Sequence, residues 1–254
     1  MCKFGGKMEK LSSRQNKIIA HVRKLGSDKA YRYQQGEAVC DGIKLLREAL
    51  MWGVEITAVL WAEEAAFALP EGIRQYSVSQ ELIDYASPLK NSQGALFTFR
   101  MPQWDMAEPG RSLVLETVQD PGNLGTILRT ANALNMDSVI LTGSCADIYN
   151  PKTIRAAMGA VFRQKVLCME RKEMKDYLSS NGMKLYGAAL SDSSKDIRSI
   201  GLEKAAVAIG SEGKGLSEEL LALCDGQVII PMNEQCESLN AGVAAAIVMW
   251  ELTR

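Results

Sequence analysis

In QDPGNLGTILRT (119–130), Asp120, Pro121 and Gly122 predict a turn and Asn123 a helix cap. Leu124, Ile127, Leu128 and Ala131 give the following helix its apolar stripe. Gly125, Arg129 and Asn132 share another face. There glycine permits close approach, and the arginine one turn on can offer its planar fork to a phosphate or carboxylate. A surface arginine on a capped helix has the same pattern. In AIGSEGKGLSEEL (208–220) a buried strand empties into Gly210, Gly213 and Gly215 with Glu212 and Lys214 between them. A P-loop would need lysine and a hydroxyl residue directly after Gly215, where Leu216 stands. A dinucleotide fingerprint would need glycine or alanine at Glu218. The glycines therefore bring backbone close to a ligand of another kind, or form a plain tight turn. In MNEQCESLNAGVAAA (232–246) a polar loop leads to Ser238 and Asn240, which can cap or line the entrance of a helix. The alanines and Gly242 leave that helix so thin that another backbone can lie against it.

These loops hang on a regular frame. SLVLETV, SVILTG, QKVLCM, KLYGAAL, AAVAIG and QVIIPM read as apolar strands, separated by helical stretches LGTILRTANALN, PKTIRAAMGAVF, EMKDYLSSN, 216–224 and the final helix. Apolar strands alternating with helices imply a parallel sheet covered on both faces, with ligands beyond the carboxyl ends of its strands. Ahead of this, SSRQNKIIAHVRKLG predicts a serine-capped amphipathic helix. AYRYQQGEAVCDG leads into a short strand, and IKLLREALMWG is a helix stopped by Gly53. VEITAVLWAEE and GALFTFRMP are strands, while EGIRQY and SQELIDYAS read as short helical pieces. The expected organisation is a basic arm and helix over 1–33, a small α/β unit over 12–100, a linker over 101–110 rich in proline, and a second domain over 111–254.

Net charge is −1, which excludes indiscriminate coating of nucleic acid, yet Lys3, Lys7, Lys10, Arg14, Lys17, Arg23, Lys24, Lys29 and Arg32 face only Glu9 and Asp28. Such an arm suits a phosphate backbone or is simply a solvated helix. The six cysteines are scattered without a C-x-x-C pair, and His21 is the one histidine, so reduced thiols and no metal are expected. No apolar run approaches the ~20 residues of a membrane span and the start lacks a secretory core, so the expected location is the cytoplasm.

In order and spacing, DPGNLGTILRTANAL, AIGSEGKGLSEEL and IIPMNEQCESLNAGVAAA resemble the three signature motifs of the SpoU/TrmH class of SPOUT RNA 2′-O-ribose methyltransferases. The likeness is strong over 111–252 and looser over the first part, which is similar to the family's RNA-binding module. It implies an α/β fold with a deep trefoil knot through which the last helix is threaded, and homodimers joined through the knotted region. It also implies S-adenosylmethionine as cofactor, with Gly210, Ile230, Met232 and Leu239 around it. Arg129 matches the family's catalytic arginine. Asn123, Glu212, Ser238 and Asn240 match its other polar positions, which orient the ribose and the arginine. A neutral guanidine is costly, so binding phosphate and stabilising a developing alkoxide suits Arg129 better than acting as a base. The implied substrate is RNA, ribosomal RNA first and transfer RNA second. A noncatalytic RNA-binding or assembly factor is the alternative of another class, and a nicotinamide enzyme fails on the broken glycine fingerprint. One departure is Glu234, where the third motif often has glycine; its carboxylate could crowd the cofactor, repel phosphate or face solvent.

Overall fold

The computed structural model describes residues 8–90, 92, 94–106, 109–233, 235 and 238–254. It divides into two units, one ending at Gln103 and taking in Tyr149–Ile154, the other formed by Trp104–Ile148 and Arg155–Arg254.

The first unit runs β1 (Glu9–Leu11), α1 (Lys17–Ser27), α2 (Lys29–Gln35), β2 (Glu37–Asp41), α3 (Ile43–Met51), β3 (Ile56–Ala62), β4 (Arg74–Val78), α4 (Gln80–Ala86) and β5 (Ala95–Arg100). Its sheet has the order β1-β4-β3-β5-β2, with β5 antiparallel to both neighbours and the other pairs parallel. Helix α1 turns Ile19, Val22 and Leu25 into a core with Leu60, Leu82 and Ile83, so its charged residues point outward. Its cap is Asn16, whose side chain accepts from the Ile18 amide, and not one of the serines. Two short pieces depart from the sequence pattern. YRYQQ is helix α2, because Asp28 caps it and Gly36, at φ 62°, ends it in the left-handed conformation. EGIRQY is not helical; its second half enters β4, where β1 and β3 supply backbone partners that outweigh a weak local preference.

The second unit contains β6 (Ser112–Glu116), α5 (Pro121–Ala133) and β7 (Ser138–Thr142), after which helix α6 (Pro151–Ala157) spans the division between the units. It continues with β8 (Val166–Cys168), α7 (Arg171–Ser180), β9 (Lys184–Ala188), β10 (Lys195–Asp196), β11 (Ala205–Ile209), α8 (Glu218–Leu223), β12 (Gly226–Ile229) and α9 (Ala241–Leu252). Helix α6 stops where Met158 and Gly159 take φ of 48° and 84°, and a 3-10 turn at Ala160–Phe162 follows, so PKTIRAAMGAVF is two pieces and not one helix. The sheet is wholly parallel, in the order β10-β12-β9-β11-β6-β7-β8. Strands β6, β7 and β11 are buried at every residue, as double cover requires. From β6 the chain winds outward through β7 and β8, then crosses to β9 and returns with β11 to the other flank of β6. That reversal is a topological switch point, where parallel sheets open a crevice. Because all strands point one way, the loops after β6, β11 and β12 leave by the same edge. Among the described residues no helix is long and apolar enough to cross a membrane.

Candidate functional site

A cavity of about 580 Å³ opens at that edge, and Gly210, Glu212, Ile230, Met232, Ser238 and Leu239 are all on its wall. Its floor depends on a tight hairpin. The Ser211 amide donates to the Gly215 carbonyl at 3.1 Å, the Gly215 amide donates back at 2.9 Å, and Gly215 adopts φ +66°. A Cβ on Gly210 would stand 2.0 Å from the carbonyl carbon and oxygen of Gly215, so the strand can meet the hairpin only as glycine. AIGSEGKG is thus a tight turn that lines the cavity wall.

The three loops are joined at the rim by a chain of amides. Helix α5 is capped by Asp120, which accepts from the Asn123 amide at 2.7 Å, with Pro121 in the first turn. The expectation that Asn123 caps this helix is therefore incorrect: proline suits the first helical position, so the cap falls one residue before it. Asn123 is left inside the first turn with its side chain available. At the entrance of α9, Asn240 Oδ1 accepts from the amides of Gly242 at 2.9 Å and Val243 at 3.3 Å. Those amides can only donate, so Asn240 must turn its Nδ2 away, toward Asn123 Oδ1 at 3.1 Å. Asn123 Nδ2 in turn donates to the Glu212 carboxylate. Each amide orientation fixes the next, and residues 123, 212 and 240 are locked as one unit.

Arg129 lies outside this chain and is absent from the cavity wall. It sits on α5 six residues beyond Asn123, about 9 Å along the helix axis at 1.5 Å per residue. Its side chain is exposed and forms no hydrogen bond or ion pair among the described residues. Asn132, expected on the same face, accepts from Arg163 Nε at 2.7 Å. Ser238 is exposed and on the wall. Glu234 and Cys236 lie outside the described residues.

One residue escaped the sequence reading. Glu116 ends β6 only 2% exposed, and its carboxylate accepts from the Ser217 amide and hydroxyl, both at 2.7 Å, and from Arg171 Nε at 2.5 Å. Ser217 is also the cap of α8, so Glu116 ties the end of the first motif's strand to the end of the glycine hairpin. Burial pushes its carboxyl pKa upward, but the two Ser217 hydrogen bonds and the Arg171 guanidinium outweigh burial and hold it below its ordinary 4.5. The available signal was a charge closing an apolar strand, since a buried carboxylate needs partners.

The thin last helix also has its reason here. Helix α9 packs on α5 and β11, and a Cβ on Gly242 would come within 3.1 Å of Asn240 Oδ1, 3.6 Å of Asn123 Oδ1 and 3.7 Å of Thr126 Cγ2. Short side chains let α9 approach closely enough for the amide chain to close.

The cavity lies within the ~300–1,000 Å³ range of small-molecule sites. It combines apolar side chains with backbone exposed at glycine, a setting that fits an adenosine carrying a short polar chain. The family model of the SpoU rRNA Methylase family matches residues 110–250, which hold all three loops. The chain belongs to this family and is an RNA methyltransferase dependent on S-adenosylmethionine. Over 247 residues it is 32% identical to the 23S rRNA (guanosine(2553)-2'-O)-methyltransferase RlmP of Bacillus subtilis, covering 96% of this chain and 99% of that protein. A Synechocystis protein named as an uncharacterized tRNA/rRNA methyltransferase is also 32% identical, over 96% of this chain and 93% of its own length. Among solved structures, the AdoMet-bound rRNA methyltransferase of Sinorhizobium meliloti superposes with a TM-score of 0.88 at 27% identity, covering 97% and 98% of the two chains.

Proposed function

We propose that this enzyme transfers a methyl group to a ribose 2′-hydroxyl of ribosomal RNA, acting in the cytoplasm as a homodimer. The observation that carries the site assignment is the locked chain Asn240–Asn123–Glu212 at the rim of the cavity. S-adenosylmethionine, when bound, supplies a methyl group on a positively charged sulfur, open to in-line attack by oxygen. Gly210, Ile230, Met232 and Leu239 would hold it in the cavity. The protein must then align a sugar hydroxyl, whose oxygen gains the methyl group as the carbon–sulfur bond breaks and whose proton leaves to solvent, and favour the charge that grows on that oxygen. The rigid amide chain orients the ribose, and Ser238 offers a hydroxyl beside it. Arg129, exposed and without a partner among the described residues, grips the adjoining phosphate and stabilises the alkoxide while remaining protonated. Because Arg129 stands off the cavity wall of its own chain, its alignment depends on RNA or on a second copy reaching the same rim.

Support for the second copy comes from α9, where Val243, Ile247 and Trp250 recur at i, i+4 and i+7 and the first and last are 49% and 59% exposed. Such an apolar stripe beside the site suits an isologous interface. Sedimentation equilibrium should return twice the chain mass, and a monomer at micromolar concentration would refute the pairing.

The substrate reading rests on similarity to the Bacillus subtilis enzyme and on the basic outer face of α1. On that face Arg23 stands 4.2 Å over the Tyr85 ring, and Lys17, Arg23 and Lys24 are exposed; Arg14, which precedes α1, stands 4.7 Å over the same ring and is paired with Glu81. Arg32 does not belong to that face. It is 3% exposed and donates to the Leu25 carbonyl at 2.6 Å. Lys3 and Lys7 lie outside the described residues. The test supplies radiolabelled S-adenosylmethionine with undermethylated ribosomal RNA or transfer RNA and maps alkali-resistant linkages. Label at a ribose of ribosomal RNA is expected. Label on transfer RNA alone would redirect the substrate, and label on neither would favour a binding factor.

A further inference from the structure

We propose that Tyr33 is a stacking platform for an unpaired RNA base, so that the first unit grips a single-stranded or bulged segment and not an uninterrupted duplex. The inference rests on the RNA reading above and deepens it.

Tyr33 lies in the last turn of α2 and is 50% exposed. A half-bare aromatic ring forgoes hydrophobic stabilisation, yet this one is firmly mounted. Its edge meets Tyr149, which groups with the first unit, at 6.5 Å and 65°. Tyr149 meets Phe99 at 6.3 Å and 64°, and Phe99 lies 6.0 Å from Phe97. Phe97 and Phe99 are fully buried and Tyr149 is 6% exposed. A run of four rings therefore leads from the core to the surface and ends at Tyr33. A ring held by such packing has little freedom left to lose when a ligand lands on it.

Its surroundings identify the chemistry of the occupant. The Lys29 ammonium is 5.8 Å from the Tyr33 centroid, and Lys24 lies 4.4 Å over Tyr31. Gln34 and Gln35 are exposed next to the ring, and Arg100, half exposed and already paired with Glu37 at 3.0 Å, donates to the Gln35 carbonyl at 3.0 Å, which leaves Lys29 as the cation for a ligand. An apolar partner or a lipid surface would want greasy neighbours, whereas here cations and amides frame a single ring. A nucleotide satisfies both parts: its base has a π-face for the tyrosine, and its phosphate one linkage away suits Lys29. Bases inside a helix have both faces covered, so a ring that leaves half its surface exposed favours those that are unstacked.

The test uses the full chain with two probes, a single-stranded RNA containing 2-aminopurine and a fully paired RNA duplex. Affinity is read by anisotropy across a salt series. Tyr33→Ala should weaken single-strand binding about five- to a hundredfold, the range for one stacked base, with duplex affinity and the salt slope unchanged. Tyr33→Phe should keep wild-type affinity, and 2-aminopurine should be quenched by wild type and Tyr33→Phe but not by Tyr33→Ala. Wild-type affinity and quenching in Tyr33→Ala would overturn the platform alone, as would a Tyr33→Phe loss as deep as that of alanine. A wild-type chain that binds neither probe would overturn the RNA reading and this inference with it.

Discussion

Arg129 and Glu116 are both charged, and their environments assign them opposite work. Arg129 has no partner among the described residues and faces solvent, so Arg129→Ala should leave the folding transition and cofactor binding in place. Methyl transfer should fall on the order of a hundredfold or more, the scale for removing a donor at developing charge. Single-turnover rates with isothermal titration of S-adenosylmethionine would check this, and near-normal turnover would refute the role. Arg129→Lys should restore little, because an ammonium lacks the planar fork. Glu116 is buried and bonded by three donors, so its effect is on stability. Its folded-state pKa lies below the ordinary 4.5, so the stabilisation it provides is complete above that value and is lost as pH falls through the lower folded-state value. Urea titrations between about pH 6 and 3 should show the wild type losing stability over Glu116→Gln in the acid part of that range. Parallel curves would mean that the carboxylate is not ionised in the fold.

Elements place these residues, and the glycine hairpin is the least forgiving of them. With backbone 2.0 Å from a would-be Cβ, Gly210→Ala must pull β11 from the hairpin or open the hairpin itself. Overpacking costs about 1–3 kcal/mol in cores that can shift, and backbone shifts less readily than side chains. A fall in Tm on the order of 5–10 °C is expected for a chain of this size, together with loss of cofactor binding. Gly213→Ala, which meets no atom within 4 Å, should melt within a degree or two of wild type by differential scanning calorimetry. The sequence announced this hairpin through its glycines, and it announced the parallel sheet because strands buried on both faces are apolar throughout. What it hid were elements decided by a few residues. Helix α2 depends on one cap and one left-handed glycine, too short a stretch for periodicity to register. β4 depends on neighbouring strands that local pattern cannot see. Residue type alone suits both Asp120 and Asn123 to a cap, and the position of Asn123 inside the first turn is what frees its amide for Glu212. The Glu116 latch spans 101 residues of chain, a separation at which no spacing argument operates.

At the scale of the whole molecule, a net charge of −1 gives no long-range pull on RNA, so attraction must be local to the outer face of α1. At physiological salt the screening length is about 8 Å, and charges further apart than that contribute little to a given phosphate. Lys17, Arg23 and Lys24 belong to one helix whose apolar side is committed to the core, and their contacts reach no deeper than the partly buried rings of Tyr85 and Tyr31, so they can be neutralised together while the buried side of the helix stays intact. The triple variant Lys17→Ala, Arg23→Ala and Lys24→Ala should reduce the slope of log affinity against log salt by about 2–3, close to one for each phosphate that is no longer neutralised. Turnover at saturating RNA should be unchanged while the KM for RNA rises, because the chemistry depends on the second unit. An unaltered slope would show that α1 is a solvated face and that RNA enters elsewhere. The result also separates two modes of grip within the first unit. Phosphate binding on α1 weakens with salt for every sequence, whereas a base on Tyr33 resists salt and demands an unpaired nucleotide, so together they would favour structured RNA with a strand exposed beside a helix.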